Sequence, residues 1–101
     1  MTPEGRVKAL VRLQLRKEFG LQCYAFWPVQ TGRGARTLDC LFCVDSLFFA
    51  VETKRPGADL TEIQKDTSEE IWRAGGVVYK VDGAVSCNYM IADIKWRIAH
   101  G

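Results

Sequence analysis

Three residues with chemical potential, Asp39, Glu52 and Lys54, lie in two consecutive apolar segments, LDCLFCVD and SLFFAVETKRPG. These segments read as two strands joined by a tight hairpin at Asp45-Ser46. A two-residue loop there pairs Val44 with Leu47 and brings Asp39 opposite Glu52. The period of two puts Lys54 on the same face, about 7 Å beyond Glu52. Carboxylates facing each other across a strand pair repel, and a divalent cation relieves the repulsion. Mg2+ or Mn2+ takes one or two carboxylates, keeps several waters and leaves room for a phosphate oxygen. The chemistry expected is metal-assisted hydrolysis. The plainer alternative makes Asp39 and Glu52 strand-end surface charges, with Lys54 as an ion-pair partner. Against it stand apolar neighbours on both faces of the pair, Leu41, Cys43, Phe48 and Ala50 on one, Cys40, Phe42, Val44, Leu47, Phe49 and Val51 on the other. Such strands are expected to be covered by helices on both sides.

Several elements must position these residues. Thr2-Pro3-Glu4 starts a helix that runs to about Phe19, with Gly20 as its stop. Lys8, Arg12 and Arg16 recur every fourth residue on one of its faces. Leu21 to Pro28 reads as a first strand rich in aromatics. The glycine-rich stretch from Thr31 to Thr37 then carries Arg33 and Arg36 directly to Asp39. It lacks the lysine and the following helix of a P-loop, and suits a nucleic-acid backbone better than a nucleotide. After Pro56-Gly57, Thr61-x-x-Gln64 is a capping box opening a second helix, which Gly75-Gly76 ends. Val77 to Val81 is a strand reached by a helical crossover, hence parallel to its partner. A last helix spans about Ser86 to Ala99. The expected architecture is a single α/β domain over residues 1–101, a mixed sheet of about four strands flanked by helices.

An aspartate on one strand followed by Glu-x-Lys on the next, here Leu38-Asp39 and Glu52-Thr53-Lys54, resembles the PD-(D/E)XK nucleases. The series Val51-Glu52-Thr53-Lys54-Arg55-Pro56-Gly57, Leu60-Thr61-Glu62-Ile63-Gln64 and Ala74-Gly75-Gly76-Val77-Val78 is similar to the VRR-NUC branch, the virus-type replication-repair nucleases. Leu38 stands where that family usually has proline. The resemblance spans about residues 4 to 83. It implies a restriction-endonuclease-like core and a metal-dependent DNA endonuclease selective for branched DNA such as Holliday junctions. Mg2+ or Mn2+ would be held by Asp39, Glu52 and the Thr53 carbonyl, with Glu4 on the first helix as a further acidic ligand. Asp39, Glu52, Lys54 and Gln64 would be catalytic, with Gln64 orienting Lys54 or the attacking water. The residues themselves leave both Glu4 and Gln64 open, since a helix start explains each as well. Stand-alone members of the branch look like homodimers of phage and bacterial origin, and Trp96 or the terminal helix is the expected pairing surface.

Composition sets the frame for these expectations. The chain of 101 residues is 48% hydrophobic and 26% charged, enough for one core. No apolar run reaches the ~18 residues of a membrane span and no apolar signal core is found at the amino terminus, which predicts a cytoplasmic protein. Cys40 and Cys43 point to opposite faces of a strand and cannot chelate one ion together, and His100 is the single histidine. Four buried, reduced thiols are expected. Residues 1–37 hold seven Lys and Arg against two Glu, a balance of +5 that leaves −3 for the rest. That asymmetry points to a polyanion at the amino-terminal third, with Lys8, Arg12, Arg16, Arg33 and Arg36 as DNA contacts. The alternatives are a catalytically inactive nucleic-acid-binding module on a nuclease-like fold, and a protein-interaction domain whose carboxylates are surface charges.

Overall fold

The computed structural model describes residues 1–29 and 36–101. Arg33, and with it most of the glycine-rich stretch, lies outside the described residues. The elements in order are α1 (Pro3–Phe19), a single 3₁₀ turn (Gly20–Gln22), β1 (Cys23–Phe26), β2 (Cys40–Val44), β3 (Leu47–Thr53), α2 (Glu62–Arg73), β4 (Val77–Val81) and α3 (Ala84–His100). The four strands form one mixed sheet in the order β1-β2-β3-β4. Antiparallel pairing joins the first three, and β4 runs parallel to β3.

The β2–β3 register follows from its turn. Asp45 and Ser46 both adopt positive φ, 48° and 70°, as a two-residue hairpin of matching twist requires, and Val44 pairs with Leu47. Pairing then continues outward to Cys40 and Val51. Even-numbered β2 residues and odd-numbered β3 residues therefore share a face, and Cys40, Phe42, Val44, Phe49 and Val51 on it are all buried. Val7, Val11, Leu15 and Phe19 of α1 and Met90, Ile91 and Ile94 of α3 complete the same core. Phe42, Phe49 and Tyr79 run across its centre with ring centroids 5.4 and 6.1 Å apart. The Tyr79 hydroxyl donates to Asp93 (2.6 Å), which also accepts from Arg97, tying β4 to α3.

The other sheet face departs from the sequence expectation. Among the described residues only α2 lies on it, and α2 covers the β3–β4 side. Gly76 sits where a Cβ would stand 2.6 Å from Ile71 Cγ2 and 2.8 Å from Phe48 Cδ1, so the glycine permits the close approach of the α2 end to the sheet. Beyond that helix, Tyr24, Phe26, Cys43 and Phe48 are exposed. Expected burial of all four thiols fails: Cys40 and Cys87 are buried, Cys43 faces the uncovered side, and Cys23, on the α1 face at the sheet edge, is half-buried. Burial pushes the Cys40 thiol up to about 12, so it stays protonated. Among the described residues no helix is long and apolar enough to cross a membrane.

Candidate active site

The end of the sheet opposite the hairpin gathers the charged residues. Apolar alternation carries β3 through Ala50 and Val51 to Glu52 and Thr53, and all four are buried. β2 begins one residue after Asp39, where the chain bends. Asp39 and Glu52 are 8% and 3% exposed, far less than strand-end surface charges would be.

Each carboxylate is held by named donors. Glu52 Oε1 accepts from the Asp39 backbone N–H (2.9 Å), and Oε2 accepts from Gln64 Nε2 (2.8 Å). Asp39 Oδ2 accepts from the Thr53 N–H (2.9 Å) and the Thr53 hydroxyl (2.6 Å). Lys8 Nζ of α1 stands 3.8 Å from Asp39 Oδ1. Asp39 is thus reached from α1 on one side while Glu52 is reached from α2 on the other. The pair closes the end of the sheet, and the Lys54 charge acts on Glu52.

Electrostatics mark the pair as strained. Burial first, then the neighbouring Asp39 charge, raises the Glu52 carboxyl from 4.5 to about 7. The Asp39 N–H and Lys54 oppose the rise, and Glu4 adds to it. Lys54 and Glu4 line a common depression with Thr2 and Arg55 beside this corner. Glu4 acts on Glu52 through its charge, but among the described residues no three His, Cys, Asp or Glu side chains gather as a ready metal cluster. The donor set therefore consists of two hard carboxylates, with the adjoining backbone carbonyl of Thr53 as the third oxygen of the expected set. Such a set fits Mg2+ or Mn2+, which keep several waters, better than zinc.

Gln64 caps its helix and also reaches the Glu52 carboxylate, though it makes no bond to Lys54. Its Oε1 accepts from the Thr61 N–H (2.9 Å) and the Thr61 hydroxyl accepts from the Gln64 N–H (3.2 Å), completing the capping box. Its Nε2 is left to hold Glu52.

The expected DNA contacts separate. Lys8 is turned to Asp39, Arg12 stacks on Trp27 at 4.5 Å from the ring centre, and Arg16 lines the groove between α1 and β1 with it. Arg36 pairs with Glu70 of the acidic α2. Sequence reasoning missed the Thr53 hydroxyl on Asp39, for which the carbonyl alone was named, and Lys80, which stands opposite Glu52 in the parallel register. Only the β3–β4 register reveals Lys80, and no local signal gives it. No known protein family, no curated protein and no solved structure matches the chain.

Proposed function

We propose that this corner is the active site of a metal-dependent DNA endonuclease of the VRR-NUC kind, within the PD-(D/E)XK nucleases. The observation that carries the reading is the buried Asp39–Glu52 pair, whose mutual repulsion a divalent cation would relieve. Asp39, Glu52 and the Thr53 carbonyl would hold Mg2+ or Mn2+. Bound there, the metal supplies a polarised phosphate and a water of lowered pKa. Gln64 fixes the Glu52 carboxylate, and the Thr53 N–H and hydroxyl fix that of Asp39, so both are oriented before substrate arrives. Lys54 orients the attacking water or stabilises charge on the phosphate, and Lys8 sets a second cation beside Asp39. The substrate class proposed from the resemblance is branched DNA, cut by a homodimer that pairs through Trp96 of α3, an exposed ring stacked on His100.

Incubation of the protein with labelled single-stranded, duplex, flap and four-way DNA in Mg2+, Mn2+ or EDTA tests the reading. Cleavage that requires the metal and disappears in Asp39→Asn and Glu52→Gln is the expected outcome. DNA binding without cleavage in either metal would refute the enzyme and leave the inactive binding module.

A further inference from the structure

The sheet edge at β1 joins two rows of side chains that the corner itself does not use. Tyr24 and Phe26 project from the uncovered face and are 73% and 52% exposed. Edge strands are ordinarily blunted by charge, and two large aromatics in that position are unusual. Their spacing along the strand is about 7 Å. On the other side of the same strand, α1 sets Arg12 and Arg16 about 6 Å apart along its axis, lining a groove of about 390 Å³ with Cys23, Ala25 and Trp27. α1 runs antiparallel to β1. Arg16 lies near Cys23, Arg12 lies on Trp27, and Lys8, one step further, reaches Asp39. Phe26 pairs with Leu41 and Leu41 with Ala50, two residues before Glu52 on the same face of β3. Both rows therefore lead to the two carboxylates.

We infer that the β1 edge is a track for an unpaired DNA strand, with Arg12 and Arg16 on its phosphates and Tyr24 and Phe26 stacked on its bases. A basic row and an aromatic row in parallel is the arrangement that grips a single strand without reading its sequence. Duplex DNA presents phosphates to the arginines but keeps its bases stacked on each other, so the aromatics have no use for it. A second copy of the chain fits the face less well. Among the described residues the uncovered apolar patch amounts to Tyr24, Phe26, Cys43, Phe48 and the half-buried Leu41, against the ~20–30 residues a side of a stable interface. As a path to the scissile phosphate, the track rests on the nuclease reading. It assigns the substrate arm, an unpaired strand led along β1 to the carboxylates.

Fluorescence anisotropy in EDTA with labelled oligothymidylate, and with blunt duplex of equal length, reads the track without cleavage. Tyr24→Ala with Phe26→Ala is expected to weaken the single strand by at least ~10-fold, from ~1–3 kcal/mol per stacked base, and to leave the duplex within about twofold. Tyr24→Phe with Phe26→Tyr retains wild-type binding. Arg12→Gln with Arg16→Gln weakens both DNAs and lowers the salt slope. Unchanged single-strand affinity in the double alanine variant overturns the track, as does an equal loss for duplex. A dimer in sedimentation that the alanine variant converts to monomer overturns it too, and makes the face an interface between copies. Failure of the nuclease reading is distinct: single strands bind as described while no DNA is cut in Mg2+ or Mn2+.

Discussion

Replacing Glu52 with Gln removes one charge from the buried pair and leaves its shape. In the unfolded chain Glu52 ionises near its ordinary 4.5, whereas in the metal-free fold it does so at about 7. A carboxyl raised by folding contributes its full stability below the unfolded value, and that stability is lost as the pH rises through 7. At about 1.4 kcal/mol per pH unit the rise from 4.5 to about 7 is worth about 3.5 kcal/mol at most, and screening by solvent at the sheet end reduces it to about 2. Both partners of Glu52, the Asp39 N–H and Gln64 Nε2, are donors, so the Glu52→Gln amide keeps one of them on its oxygen and turns its NH2 against the other, at a cost of about 1 kcal/mol. Glu52→Gln should then be the less stable by about 1 kcal/mol near pH 4.5 in EDTA. By pH 8 the difference should have moved by about 2 kcal/mol in the variant's favour, about 10 °C in Tm for a domain of this size. Thermal melts followed by circular dichroism across that range check it, with the wild-type-minus-variant difference cancelling other titrating groups. Parallel curves from pH 4.5 to 8 would refute the strained pair. Mg2+ should stabilise wild type at pH 8 and leave the variant unmoved.

Gln64→Ala removes the capping acceptor and the amide on Glu52, and should destabilise by about 2 kcal/mol, measured by urea unfolding. Gln64→Glu keeps the cap but faces Glu52 with another carboxylate, so it should match wild type near pH 5 and lose about 1 kcal/mol by pH 8 in the same assay. Asp45→Asn with Ser46→Gly relaxes two positive-φ residues and should add about 1 kcal/mol, seen as a higher denaturation midpoint. Gly76→Ala pushes a methyl into Ile71 and Phe48 and should destabilise by about 1–3 kcal/mol, read in thermal melts.

The hairpin, the capping box and the parallel crossover were legible in the sequence because each is a local rule with one geometric solution. Asp45-Ser46 fixed which residues face each other across β2 and β3, and Thr61 with Gln64 fixed where α2 begins. Coverage of the sheet was not legible, since apolar residues on both faces of β2 and β3 do not tell how far one short helix reaches. Cys43 and Phe48 were expected inside and are outside for that reason. The site divides in the same way. Its carboxylates followed from strand register, but the pairing of Lys8 with Asp39 depends on the path of α1 over the sheet. At Gln64 the spacing Thr61-x-x-Gln64 tells where the oxygen of the amide goes but not where the nitrogen goes. Its amide has an oxygen and a nitrogen, and each takes a different partner.

The turn at Asp45-Ser46 lies at the far end of β2 and β3 from the carboxylates, about six residues or ~20 Å along the strands. At that separation effects on stability add. The chain therefore keeps an unused margin in two turn residues that touch nothing catalytic in the proposed reading. A lineage burdened by a harsher charge cluster at the working end would have room to compensate there, through substitutions that leave the corner's geometry untouched. The same margin gives the experimenter a stabilised background in which damaging changes at Asp39, Thr53 or Gln64 remain folded enough to be assayed.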